Sequence, residues 1–222
     1  VADITRLPGY DPLGEYQFGH ADQKRRGGYR HQYRFDLSDE DIEREMKGYT
    51  LKHNLTNDSD LVEFIGTALE NNGAMISTVE KMRAGVVPGG MSPQADMDSG
   101  GATYFFTRIR KLPSDGRPTE PGMYFKKRLL RRMDAVSYDG DKYGRCTGDT
   151  VREHRHSTVD GWKRCARNGS NETIFKYSVT LLDNIEFIRT SSARERESVL
   201  RAFTSRGITR LPDGRRIESV VL

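Results

Sequence analysis

The stretch that most constrains this chain runs from Gly89 to Arg110, GGMSPQADMDSGGATYFFTRIR. Glycine pairs and small polar residues lead into a run dense in aromatic and β-branched side chains. That run reads as a strand over Thr103–Arg110. Tyr104, Phe105 and Phe106 alternate in direction, so one face turns to a core and the other is open to a flat ligand. Gly100 and Gly101 let the backbone approach such a ligand closely.

Helix signals surround this strand without a regular strand–helix alternation. Ser38-Asp39-Glu40-Asp41 opens a short helix over Ile42–Lys47 that Gly48 closes. Tyr49–Leu55 reads as a strand. Leu61, Val62, Phe64, Ile65, Ala68 and Leu69 share one helical face, and Gly73 ends that helix. Ala74–Ile76 reads as a short strand, and Ser77-Thr78-Val79-Glu80 matches a capping box. The basic run KKRLLRR within Phe125–Asp134 is expected on a helix. Residues 137–170 are polar and glycine-rich, with little period. Thr173–Thr180 alternates as a strand, with Phe175, Tyr177 and Val179 on one face. Ile185–Arg189 reads as another strand. Ser191 or Ser192 caps a helix carrying Val199, Leu200 and Phe203. A Pro212-Asp213-Gly214 turn suggests a terminal hairpin. The class is therefore α+β, mostly antiparallel. Residues 1–48 are expected as an N-terminal extension packed on a body of residues 49–222.

Composition excludes several classes. The 222 residues carry 36 basic and 32 acidic side chains, a formal net charge of +4. That is too mild for a dedicated nucleic-acid scaffold. No apolar run reaches the length of a membrane span, and the start VADITRLPGYDPLG lacks the features of a signal peptide. A cytoplasmic protein, or one delivered into a target cell, is expected. The absence of an initial Met fits a fragment or a processed product. Two cysteines, Cys146 and Cys165, argue against a disulfide scaffold.

Several residues can carry chemistry. His53, in LKHNLT, can bond a ribose hydroxyl or a phosphate without fixed charge, or it is a satisfied strand histidine. Ser77 and Thr78 can cap a helix and also meet a phosphate or ribose there. Glu172, in NETIFK, is either a carboxylate placed to stabilise an oxocarbenium ion or an ordinary solvated strand residue. The segment TVDGWKRCARNGSN holds Trp162, Lys163, Arg164 and Arg167. Its tryptophan can stack on a base, anchor a protein target, or simply pack. Cys146, His154, His156 and Cys165 lie within twenty residues, but their spacing matches no common zinc motif. No metal is expected.

The order of these motifs resembles the ADP-ribosyltransferase superfamily, across roughly Tyr49 to Ile208. The resemblance implies a split, mostly antiparallel sheet with peripheral helices and NAD as substrate. It implies His53, Asn54, Thr56, Ser77, Thr78, Gly101 and Tyr104 around the cofactor, with Tyr104 stacked on nicotinamide and Glu172 catalytic. It places Trp162, Lys163, Arg164 and Arg167 in a loop that reads a protein or nucleic-acid acceptor. Bacterial toxins and effectors of this superfamily are the expected company. Two positions before Glu172 stands Ser170, where arginine-modifying members usually carry Glu. The rivals are an NAD glycohydrolase, and a non-catalytic nucleic-acid-binding module resting on QKRRGGYRHQYR, KKRLLRR and the Trp162 segment.

Overall fold

The computed structural model describes residues 37–53, 55, 61–70, 74–75, 105–132, 135–140, 155–156, 158–175 and 179–222. Within them the chain is a mixed helix-and-strand protein built on one open antiparallel sheet. Its strands are β1 (Tyr49–His53), β3 (Phe105–Lys111), β4 (Gly122–Phe125), β5 (Ala135–Tyr138), β6 (Arg155–His156), β7 (Glu172–Phe175) and β9 (Ile185–Arg189). Their order is β6-β5-β7-β3-β1-β4-β9. A separate two-stranded ribbon pairs β2 (Ala74–Met75) with β8 (Val179–Thr180). The helices are α1 (Asp39–Glu45), α2 (Leu61–Glu70), α3 (Val159–Cys165), α4 (Leu181–Asn184), α5 (Ala193–Thr204) and α6 (Ile217–Val220).

One face of the sheet carries the main core. Leu51, Phe105, Ile109, Phe125 and Phe175 pack with Leu61, Phe64, Ile65 and Ala68 of α2 and with Val199 and Phe203 of α5. Alternation sends Tyr124, Val136, Tyr138 and Ile174 to the opposite face, where they are also buried but stand outside that cluster. Cover on that second face is uneven: Ile174 of β7 and Thr50 and Lys52 of β1 are buried, whereas Phe106, Arg108 and Arg110 of β3 are only half-buried.

Local chemistry explains the element ends. Ser38 caps α1 through a reciprocal pair with Asp41, at 3.0 Å and 2.9 Å. Gly48, at φ 79°, supplies the left-handed turn into β1. Ser192 caps α5, and Gly207 at φ 73° follows its end.

Helix α1 buries Ile42 and Met46 fully in the core. Several expectations are corrected. The KKRLLRR run forms a short 3-10 helix, Lys127–Arg131, whose Leu129 and Leu130 turn inward. The stretch 137–170 has little period but contains regular elements. It holds the end of β5, β6 and α3, elements too short to show a period. The expected strand Thr173–Thr180 is not one strand with one partner, since β7 ends at Phe175 and Val179–Thr180 joins the second ribbon. The terminal hairpin reduces to one Arg210–Arg216 bridge around the Gly214 turn, after which Ile217–Val220 coils into α6.

Candidate active site

Three segments far apart in sequence become neighbours in the sheet order β7-β3-β1. His53 ends β1 and Glu172 begins β7. Lys52 pairs with Arg108 and Thr107 pairs with Thr173. The cross-strand row through His53 therefore passes Thr107 and reaches Thr173, the neighbour of Glu172. His53 and Glu172 stand two strands and one residue apart, about 10 Å between backbones at ordinary strand spacing. Alternation starts Glu172 toward the face opposite Thr173. Because β1 and β7 run in the same direction, the end of β1 and the start of β7 point toward opposite ends of β3, so the two side chains share neither a face nor a strand end.

His53 is held firmly. It is 7% exposed, with its ring stacked on Phe105 at 4.7 Å and tilted against Phe64 at 5.2 Å. Its Nδ1 lies 2.6 Å from the carbonyl oxygen of Phe106. A carbonyl only accepts, so Nδ1 carries the proton and, in the neutral ring, Nε2 is the accepting nitrogen. The residue before it, Lys52, is buried and paired with Glu120 at 2.7 Å. The hydrogen bond from Lys52 holds the Glu120 carboxyl below the usual range. Burial, then the Glu120 charge, pushes the Tyr124 phenol up to about 12, so it stays protonated and donates to the Glu120 carbonyl at 2.7 Å.

Glu172 is half-buried and lies across from Tyr138 of β5. Its neighbours are buried and hydrogen-bonded. Thr173 is fully buried, its hydroxyl 2.9 Å from that of Ser137, and its carbonyl accepts from the Thr107 hydroxyl at 2.8 Å. On the other side, Asn171 is fully buried and bonds through its side chain to both backbone groups of Ile109. Arg108 donates to the Gly169 carbonyl at 3.3 Å, which ties the preceding loop to β3. Asn171, Thr173 and Ser137 belong to no motif that would single them out in the sequence. The available signal was an asparagine at a strand start, a residue type that favours side-chain bonds to backbone over strand pairing.

Asn54, Thr56, Ser77, Thr78, Gly101 and Tyr104 lie outside the described residues. Trp162 requires a correction. It is 1% exposed and packs in the main core, so its ring is no surface platform for a base. The segment around it is helix α3 and not a loop. It is capped by Thr158, whose hydroxyl accepts from the Gly161 amide at 3.1 Å. The amphipathic turn buries Trp162 and Cys165 and leaves Arg164 and Arg167 exposed, with Lys163 half-buried.

An open cleft of about 370 Å³ lies beside the end of β1, lined by Lys52, Leu55, Leu61, Gly122, Ser191 and Glu195. Neither His53 nor Glu172 lines it. Among the described residues no cluster of three or more His, Cys, Asp or Glu side chains can hold a metal ion. Cys146 and His154 lie outside those residues. His156 pairs instead with Asp139 at 3.0 Å. No helix among the described residues is long and apolar enough to cross a membrane.

Compared with protein-family models and with curated proteins, the chain matches none.

Proposed function

We propose that the protein is an NAD-dependent ADP-ribosyltransferase, with the split-sheet fold of that superfamily and Glu172 as its catalytic carboxylate. The observation that carries the reading is the adjacency of β1, β3 and β7. The motif order expected of the superfamily puts its histidine, its stacking aromatic and its glutamate on three strands. The three strands that bear or adjoin those residues here are consecutive neighbours, although 119 positions separate His53 from Glu172. A random placement of three strands in a seven-stranded sheet has no reason to join them.

The chemistry follows from the residues. The bond between nicotinamide and ribose C1′ breaks, and its electron pair leaves with the nicotinamide nitrogen, which becomes neutral. Positive charge develops over C1′ and the ring oxygen. The Glu172 carboxylate stabilises that charge and accepts a hydrogen bond from the ribose 2′-hydroxyl. An acceptor nucleophile then bonds to C1′ and releases its proton to solvent. His53 is held by Phe106 and two aromatic rings with its Nε2 buried, so a ribose hydroxyl reaches that nitrogen only when the groups around it shift. A side chain already ordered gives up little entropy on binding.

The acceptor is a macromolecule read by α3 and the loop between it and β7. Lys163, Arg164 and Arg167 give this surface a positive charge that attracts anionic partners. Burial of Trp162 removes the stacking argument for nucleic acid and leaves the charge argument. Isotope-labelled NAD incubated with the protein and cell lysate tests the assignment. Label that becomes macromolecular and is then released by protease, or by nuclease, identifies catalysis and acceptor class together. Label that appears only as free ADP-ribose favours a glycohydrolase, and label that stays in NAD overturns the proposal.

A further inference from the structure

We propose that Asn171 is the positioning residue that opens the gap between β3 and β7 and fixes Glu172 at its mouth. The inference rests on Glu172 being the catalytic carboxylate.

The β3–β7 ladder runs through Phe105–Phe175, Phe106–Ile174 and Thr107–Thr173. Two residues further along β3, at Ile109, backbone pairing is replaced. The Ile109 amide donates to Asn171 Oδ1 at 2.8 Å, and Asn171 Nδ2 donates to the Ile109 carbonyl at 3.1 Å. A side chain stands where a strand backbone would otherwise be, so the chain just before β7 is held off β3 by the length of that side chain. Glu172 is the residue at the fork.

The second Nδ2 proton is used as well, donating to the Asn168 carbonyl at 2.6 Å. Asn168 in turn donates to the Asp139 carbonyl at 2.5 Å, just beyond β5. The fork is therefore fastened to both strands that flank β7. Both donors and the acceptor of the Asn171 carboxamide are engaged, and the side chain is fully buried. No other side chain supplies that set at that length: Asp lacks the donors, Gln is one methylene too long, and Ser is too short. A carboxylate that must sit within a fraction of an ångström of a developing charge benefits from a neighbour held in this way.

The test compares wild type, Glu172→Gln, Asn171→Asp and Asn171→Ala, each checked for folding by near-UV circular dichroism and thermal midpoint. Nicotinamide release from NAD is followed for kcat and KM. Wild type that releases no nicotinamide, or equal release by Glu172→Gln, overturns the reading of Glu172, and the positioning role with it. Given release that depends on Glu172, folded Asn171→Ala is expected to lose about 10- to 100-fold in kcat with KM within about threefold. Asn171→Asp adds a signature that a purely structural role does not produce. Its carboxylate faces two carbonyls, and protonation restores one donor. Its kcat relative to wild type is therefore expected to rise as pH falls from about 8 to about 5. Wild-type kcat in both folded Asn171 variants overturns the proposal. So does a pH-independent ratio for Asn171→Asp, or failure of both variants to fold, which would make Asn171 a residue of the fold alone.

Discussion

His53 donates through Nδ1 to the carbonyl of Phe106 at 2.6 Å, which ties the end of β1 to the strand that separates it from Glu172. The same ring fills the space between Phe64 and Phe105. Replacement by Phe keeps the stacking and leaves the Phe106 carbonyl without that donor. His53→Phe is expected to cost about 1–3 kcal/mol in urea unfolding. If the imidazole also orients a ribose, KM for NAD rises in the same variant by more than kcat falls. An unchanged KM together with an unchanged unfolding free energy contradicts both roles.

Trp162 and the basic side chains of α3 separate in their effects. Trp162→Ala empties a core site and is expected to destabilise the protein by about 3–5 kcal/mol. Reversing Lys163, Arg164 and Arg167 to Glu touches exposed or half-buried groups, so the fold and nicotinamide release should hold while transfer to the acceptor falls. Equal transfer by the charge-reversed protein removes α3 from the acceptor surface.

Gly161 sets two effects against each other. On helix propensity alone, Gly161→Ala gains about 1 kcal/mol. The added Cβ, however, comes within 2.8 Å of His156 Cβ, an atom that no side-chain rotation moves away. Overpacking of this kind costs about 1–3 kcal/mol, so a net loss of stability is expected. A raised thermal midpoint contradicts the close packing of α3 on β6.

Glu186 should give the fold a pH dependence of unusual sign. Burial pushes its carboxyl up, and the Lys127 charge and the Thr50 hydrogen bond offset this only in part. Thr50 has one hydroxyl proton, yet its oxygen lies 3.1 Å from the Phe125 carbonyl and 3.0 Å from Glu186 Oε2. A protonated Glu186 donating to Thr50, which donates to Phe125, satisfies all three groups. The folded state therefore binds this proton more tightly than the unfolded chain. The stability it contributes is complete below the unfolded carboxyl range, near pH 4, and is lost as pH rises through the raised folded value. Glu186→Gln should gain on wild type in urea unfolding as pH rises from about 4 to about 7. Parallel curves for the two proteins contradict the assignment.

Much of the frame was legible from local signals. Ser38, Ser192, Gly48 and Gly207 marked helix ends because capping and left-handed turns are chemistry of a few adjacent residues. The face of α2 followed from its period. What the sequence did not reveal is long-range. Among basic neighbours Trp162 reads equally as a stacking platform, an anchor or a packed residue, and only the seven-residue helix decides that it turns inward. Phe175 and Val179 share an alternating pattern, yet they serve different sheets, because pairing partners are chosen by tertiary contact. Asn171 and Ile109 are 62 positions apart, and no local pattern announces their bond. The candidate site was partly legible for a related reason. His53 and Glu172 stood out by residue type, while the groups that hold them are ordinary Thr, Ser and Asn side chains.

Nicotinamide release from NAD, measured for wild type and for Glu172→Gln under identical conditions, tests the central claim most directly. Gln keeps the size and a hydrogen-bonding oxygen and removes the negative charge that stabilises the oxocarbenium ion. The account predicts steady release by wild type and a loss of about 100-fold or more in kcat for the folded variant. No release by wild type, or equal release by both proteins, contradicts it.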